Sequence, residues 1–236
     1  MNVVMPMAGE GTRFKEAGYT CAKPFLPVDG VPMWFRVVQN LGLEASDQLI
    51  VLCRSEHVNL IPGSIKKVAV EKTTEGSACT VLLAKELINN NEPLLIVNSD
   101  QIIDFNSNNW KLVRNQMDLD GAIWVFEAGD RNLKWSYASF DEYYQVKEVA
   151  EKQAISNWAT CGVYYWSRGS DFVKYAERMI AGDRRTLGEF YNCPVYQEAI
   201  RDKMIILPFF VEKMTGLGTP EDYSRYIRSE NAVHSA

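Results

Sequence analysis

Apolar and polar positions along the chain fall into two rhythms. Short runs such as Leu94-Leu95-Ile96-Val97 and Leu49-Ile50-Val51-Leu52 are apolar throughout. Runs of that kind read as strands covered on both faces. The pattern predicts strands over residues 2–7, 48–53, 67–70, 93–98, 121–127, 143–149, 162–166 and 205–211. Helical spacing falls between them. One helix starts at Pro32, with proline in the favoured first turn, and runs to Leu41. A second covers residues 77–88. A third has Ser170 as N-cap and stops at Gly182. The last starts at Thr219, where Pro220, Glu221 and Asp222 fill a first turn that favours negative charge.

Strand and helix alternate through the first 100 residues, which implies parallel strands joined by crossover helices. The middle, about 121–166, reads as antiparallel. Trp124, Phe126, Trp135, Tyr137, Tyr143, Tyr144 and Tyr164 to Trp166 concentrate there and are expected in the core. With 236 residues, 47% hydrophobic and 23% charged, the chain suits one large α/β domain. A net charge of −5 argues against a nucleic-acid partner, which would call for a basic face. The five cysteines include no C-x-x-C pair and are expected as buried, reduced thiols. Only two histidines, His57 and His234, are present, which disfavours a zinc site or a histidine-dependent triad. No signal peptide is visible, and no apolar stretch approaches the ~20 residues of a membrane span. A cytoplasmic protein away from the membrane is the expectation.

Four segments carry candidate chemistry. The first is the loop after the opening strand, Ala8-Gly9-Glu10-Gly11-Thr12-Arg13, followed by Lys23-Pro24. Ligands of α/β sheets bind beyond the carboxyl ends of strands. Glycines there let backbone N–H groups approach phosphate, and Arg13 and Lys23 add positive charge. No Lys-Ser/Thr follows the glycines, so this is not an ATPase P-loop. Phe14 holds the third-glycine position, which lowers a dinucleotide-binding reading. The second segment is Asn98-Ser99-Asp100 at a strand tip. The simplest use of Asp100 there is to bind Mg²⁺ bridging triphosphate oxygens; Asp104 reads as solvated. The third is Glu71 to Ala78, where Gly76 opens a helix and leaves room for a flat base. The fourth is Glu151-Lys152 with Thr160-Cys161-Gly162 beyond it, where a lysine suits an acceptor phosphate.

Together these residues resemble the sugar nucleotidyltransferases, over nearly the whole chain from Met1 to about Ile227. The family's G-x-G-T-R…K-P opening matches Gly9, Gly11, Thr12, Arg13, Lys23 and Pro24. Its base-binding segment looks like Glu71 to Ala78, its metal-binding aspartate like Asp100, and its Glu-Lys pair and sugar-binding glycine like Glu151, Lys152 and Gly162. The closing Gly218-Thr219-Pro220-Glu221-Asp222-Tyr223 is similar to the family's ending. Gly18-Tyr19 looks like a capsule or surface-polysaccharide subgroup.

The resemblance implies a Rossmann-like three-layer αβα sandwich with a mixed, mainly parallel sheet, formed as a single domain over residues 1–236. Its nucleoside triphosphate (NTP) part would be about 1–115, its acceptor part about 116–215, and its closing helix about 219–230. It implies attack of an acceptor phosphate on the α-phosphorus, with pyrophosphate leaving. Arg13, Lys23, Asp100 and Lys152 would be catalytic, and Asp100 would hold Mg²⁺. Ala8, Gly9, Gly11, Thr12, Glu71 and Gly76 would bind nucleotide; Glu151, Thr160 and Gly162 would bind acceptor. Glu71 only accepts hydrogen bonds when ionised; cytosine's exocyclic amine or guanine's N–H pair suits it better than uracil or thymine, and CTP is favoured. Two departures stand out. Glu10 replaces a glycine beside the phosphates, and Gly216 replaces a second metal-binding aspartate. A molybdopterin or methylerythritol-phosphate transferase, a phosphocholine-like acceptor, a catalytically silent regulatory subunit and an oligomer are all left open.

Overall fold

The computed structural model describes residues 1–116 and 118–234. Its strands and helices, in chain order, are β1 (Asn2–Pro6), α1 (Thr12–Glu16), β2 (Pro27–Val28), β3 (Val31–Pro32), α2 (Met33–Leu41), β4 (Gln48–Arg54), β5 (Lys66–Val70), α3 (Ser77–Leu82), α4 (Lys85–Ile88), β6 (Leu94–Val97), β7 (Gln101–Asp104), α5 (Ser107–Gln116), β8 (Gly121–Glu127), β9 (Ser136–Phe140), β10 (Val146–Glu151), β11 (Trp158–Trp166), α6 (Gly169–Ala181), α7 (Val195–Arg201), β12 (Ile206–Phe210), β13 (Lys213–Gly216) and α8 (Pro220–His234).

The apolar runs form the sheet's centre because alternate side chains enter different cores. Val4, Leu94 and Ile96 join one buried cluster, with Val81 of α3 and Phe172 and Met179 of α6. Val3, Met5, Leu95 and Val97 join the other, with Trp34 and Val37 of α2 and Trp110 of α5. The result is the expected three-layer α/β/α arrangement around a mixed sheet. Its path is β10-β9-β11-β6-β1-β4-β5, with β8 pairing both β11 and β12. Strands β6, β1, β4 and β5 are parallel, and β11 pairs antiparallel with β6 and β8. The chain runs outward from β1 through β4 to β5, then returns to β6 on the other side of β1. That reversal between β1 and β6 is a topological switch point, where crevices open in such sheets.

Several expected elements are corrected. The strand over 143–149 begins only at Val146. Tyr143 and Tyr144 form the turn before it and are 79% and 58% exposed, so they are not core. The Asp141 carboxylate accepts the Tyr143 and Gln145 N–H groups and holds that turn. The helix over 77–88 is two helices interrupted near Leu83. Pro32 precedes α2 as its cap residue. Arg168, not Ser170, caps α6. The sequence pattern gives no sign of α1, β2, β3, β7, α5, β9, α7 and β13. Of the cysteines, Cys53, Cys161 and Cys193 are buried thiols, but Cys21 is exposed and Cys79 only partly covered. Thr219 does cap the last helix, accepting the Asp222 N–H at 3.1 Å. No helix among the described residues is long and apolar enough to cross a membrane.

Candidate active site

The loop after β1 turns on Gly11, which has φ 65° and caps α1. Helix α1 is short, and its buried Phe14 anchors it edge-on against Tyr19 and Tyr223. Tyr19 also meets Ser224 of α8 at 3.3 Å, so Gly18-Tyr19 ties this loop to the last helix. Gly9, Gly11, Thr12, Arg13 and Lys23 line a cleft of about 470 Å³ together with Asp100. Ala8 is buried beneath the loop. Glu10 is tethered by the Thr73 hydroxyl, which donates to its carboxylate at 2.7 Å. The same bond joins the β1 loop to the loop before α3.

Asp100 follows β6 and receives a 2.5 Å hydrogen bond from the Lys23 ammonium. Leu217 N–H donates to the Asp100 carbonyl at 2.7 Å, fixing the end of β13 beside it. A Cβ at Gly218 would stand 3.0 Å from Asp100 Oδ2. Glycine there keeps open the space in which an ion could meet the carboxylate. No group of three or more acidic, histidine or cysteine ligands gathers among the described residues. Asp100 fits Mg²⁺ as a single protein ligand, because this ion commonly keeps water and phosphate oxygens around it. A Cβ at Gly216 would instead stand 3.0 Å from the Trp135 ring. Trp135 therefore holds the space that a side chain at residue 216 would enter. Asp104 lies on β7 and is exposed, as expected.

A second cavity, of about 450 Å³, is lined by Glu151, Lys152, Thr160 and Gly162 among others. Strand β11 carries a bulge between Thr160 and Tyr164. Gly162 sits inside it with φ 73°. A Cβ there would fall 2.4 Å from Asn98 Nδ2, while the Asn98 N–H donates to the Gly162 carbonyl at 2.9 Å. The bulge thus locks this wall of the cavity to the tip of β6. Thr160 and Tyr164 hydroxyls share a hydrogen bond of 3.0 Å. Ser136 Oγ donates to the Glu151 carboxylate. Burial pushes the Glu151 carboxyl above the ordinary range, against the pull of Ser136 and Lys152. Lys152 donates to the Tyr191 hydroxyl at 2.6 Å, and Tyr191 in turn donates to Glu189 at 3.0 Å.

The two cavities share Arg13, Asn98, Asp100, Glu189 and Gly218. The structure thus places most of the expected site residues in two adjoining cavities, with Arg13 and Asp100 on their common border. Three are not brought to either cavity: Ala8, Glu71 and Gly76. Glu71 is exposed. Gly76 has a different reason to be glycine from the expected room for a base. A Cβ there would lie 2.3 Å from the Phe190 carbonyl oxygen, so the requirement comes from close backbone packing. Glu189, Tyr191 and Asn192 are functional candidates that sequence reasoning missed. They lie in an irregular stretch before α7, with no periodicity or motif to mark them.

Residues 2–214 match the nucleotidyl transferase family model. The chain belongs to that family. It is 29% identical over 169 residues to the bifunctional protein GlmU of Methanococcus aeolicus, a match covering 70% of this chain and 39% of that relative. The matched part is therefore well under half of that relative's length. The crystal structure of the nucleoside-diphosphate-sugar pyrophosphorylase from Vibrio cholerae RC9 superposes with a TM-score of 0.80 at 25% identity, covering 96% of this chain and 99% of the other. The inositol-1-phosphate CTP transferase from T. maritima shares the fold, with a TM-score of 0.72 at 15% identity over 96% of this chain and 93% of its own.

Proposed function

We propose that this nucleotidyl transferase family member joins an NTP to a phosphorylated acceptor, a sugar 1-phosphate above all, and releases pyrophosphate. The observation that carries this reading is the common border of the two cavities. A triphosphate on the Gly9–Arg13 loop and an acceptor beside Lys152 would meet at Arg13 and Asp100. An acceptor phosphate oxygen attacks the α-phosphorus, and the bond to the bridging oxygen of the β-phosphate breaks. The nucleophile is already ionised at neutral pH, so positioning and charge neutralisation suffice.

In this reading the Gly9 and Gly11 N–H groups and Arg13 hold the triphosphate. Lys23 exchanges its Asp100 partner for the reacting phosphates. Asp100 would hold Mg²⁺, which neutralises charge on the triphosphate when bound. Lys152 holds the acceptor phosphate; Glu151, Thr160 and Gly162 contact the acceptor body. Residues of about 1–115 form the nucleotide part and about 116–215 the acceptor part of one domain, closed by α8. The Tyr223 hydroxyl supports that closure by donating to the Pro27 carbonyl at 2.8 Å.

CTP is the proposed donor. Glu71 lies on the loop that the Thr73–Glu10 bond ties to the phosphate loop, and its carboxylate suits the exocyclic amine of cytosine. The product would serve surface polysaccharide synthesis in the cytoplasm, as the Gly18-Tyr19 resemblance suggests. Pyrophosphate release is measured with Mg²⁺, four NTPs and a panel of sugar 1-phosphates plus phosphocholine. Release that requires both an NTP and an acceptor is expected. Tight NTP binding with no release from any pair would overturn the reading in favour of a silent binding subunit. Equal turnover with UTP and CTP would overturn the base assignment.

A further inference from the structure

One side chain in the acceptor cavity has polar atoms that the protein leaves unused. Asn192 is 3% exposed, and neither its amide oxygen nor its amide nitrogen has a hydrogen-bond partner. Its backbone is fixed, the N–H donating to Ser77 Oγ at 3.1 Å. The residue lines the cavity together with Ser77, Ser136, Glu151, Thr160 and Tyr164.

The other buried side-chain atoms without partners, among the described residues, are three indole nitrogens and one imidazole nitrogen: Trp34, Trp124, Trp166 and His57. None of those residues lines either cavity. Each also lacks a single bond, whereas Asn192 lacks every bond its amide can make. Buried amides are almost always satisfied, because leaving one unpaired forfeits its hydration with no return. An unpaired amide in the wall of a binding cavity is therefore accounted for if the ligand completes it.

We infer that Asn192 is a specificity-determining residue for the acceptor, its amide bonded by a hydroxyl-bearing part of the bound molecule. The inference rests on the nucleotidyl-transfer reading and narrows its substrate class. An amide offers both a donor and an acceptor, and a hydroxyl group answers both. The neighbouring wall is of the same kind, with hydroxyls at Ser136, Thr160 and Tyr164 and a carboxylate at Glu151. A trimethylammonium head offers no hydrogen-bonding group and would leave the amide as orphaned as before. The acceptor class is accordingly a sugar or polyol phosphate rather than a phosphocholine.

The test compares wild type, Asn192→Leu and Asn192→Ala in Mg²⁺ with each of the four NTPs. The acceptors are hexose 1-phosphates, glycerol 3-phosphate and phosphocholine, and thermal melting is measured on the free proteins. For the hydroxyl-bearing acceptor that wild type uses, KM is expected to rise about ten- to a hundredfold, with KM for the NTP unchanged. The Asn192→Leu protein is expected to melt at or above the wild-type temperature, because it removes an unpaired amide. The Asn192→Ala protein, which adds no atoms, keeps the test open if leucine does not fit. An unchanged acceptor KM in both variants, or a lowered melting temperature with unchanged KM, overturns the inference and assigns Asn192 a purely structural bond. Preference of wild type for phosphocholine also overturns it while leaving nucleotidyl transfer intact. No release from wild type with any pair overturns the transfer reading itself, and the inference with it.

Discussion

Lys23 and Asp100, 77 residues apart in sequence, meet at 2.5 Å between ammonium and carboxylate. The pair joins the segment between α1 and β2 to the tip of β6 across the switch point of the sheet. Both side chains are partly exposed, and pairs of that kind contribute about 0–1 kcal/mol to stability. In the proposed reaction their chemical value would be much larger, since losing one preorganised charge-stabilising group costs about 10²–10³-fold in rate. Asp100→Ala and Arg13→Ala are each expected to cut turnover by that order while melting close to wild type. Near-normal turnover in either would remove that residue from the proposed machinery.

Glycine at residues 76 and 162 answers to neighbouring atoms rather than to loop flexibility. Gly76→Ala would press a methyl group against the Phe190 backbone, and Gly162→Ala would press one against Asn98. Both positions have positive φ, adding backbone strain to overpacking. Each substitution is expected to destabilise the fold by about 3 kcal/mol, read as a shift of the denaturation midpoint. Wild-type midpoints would show that these contacts relax freely.

Glu151 gives a pH signature. Burial raises its carboxyl in the folded state above the ordinary value of 4.5. The folded protein therefore holds this proton more tightly than the unfolded chain, and stability from this group falls as pH rises from about 4.5 through the folded value. Glu151→Gln keeps an oxygen to accept from Ser136 and removes the titration. Its denaturation free energy is expected to decline less than wild type over that window. Parallel pH profiles would contradict the assignment.

The Gly216 position is shaped by Trp135. Gly216→Asp is expected to cost about 1 kcal/mol of stability or more, since its Cβ meets the indole. The penalty is expected to shrink in a Trp135→Leu background, measured as a double-mutant cycle. Additive effects would mean that the two positions do not compete for space.

The parallel half of the fold was open to sequence reasoning because its central strands β1, β4 and β6 are short and apolar on both faces. Leu94 to Val97 could hardly be anything else. The antiparallel half was harder. Ser136 to Phe140 mixes serine, alanine and aromatic residues without a clean alternation, and its pairing with Val146 to Glu151 depends on partners distant from any one window. Tyr143 and Tyr144 looked like core by composition and belong to a turn held by Asp141. Helix α7 has only seven residues, about two turns, follows an irregular stretch and packs against α6. In the candidate site, motif spacing singled out Arg13, Lys23, Asp100, Lys152 and Gly162, all of which line one or both cavities. Spacing could not reveal that Gly76 answers to Phe190, because the two are 114 residues apart and meet only in the fold. Glu189, Tyr191 and Asn192 carry no sequence signal for the same reason.

The border of five residues shared by the two cavities also bears on the reverse direction of the reaction. A product carrying nucleotide and acceptor body in one molecule would occupy both cavities at once and displace either substrate. Inhibition by such a product is expected to be competitive against the nucleotide as well as against the acceptor. The enzyme would then slow as its own output accumulates, with no separate regulatory site required.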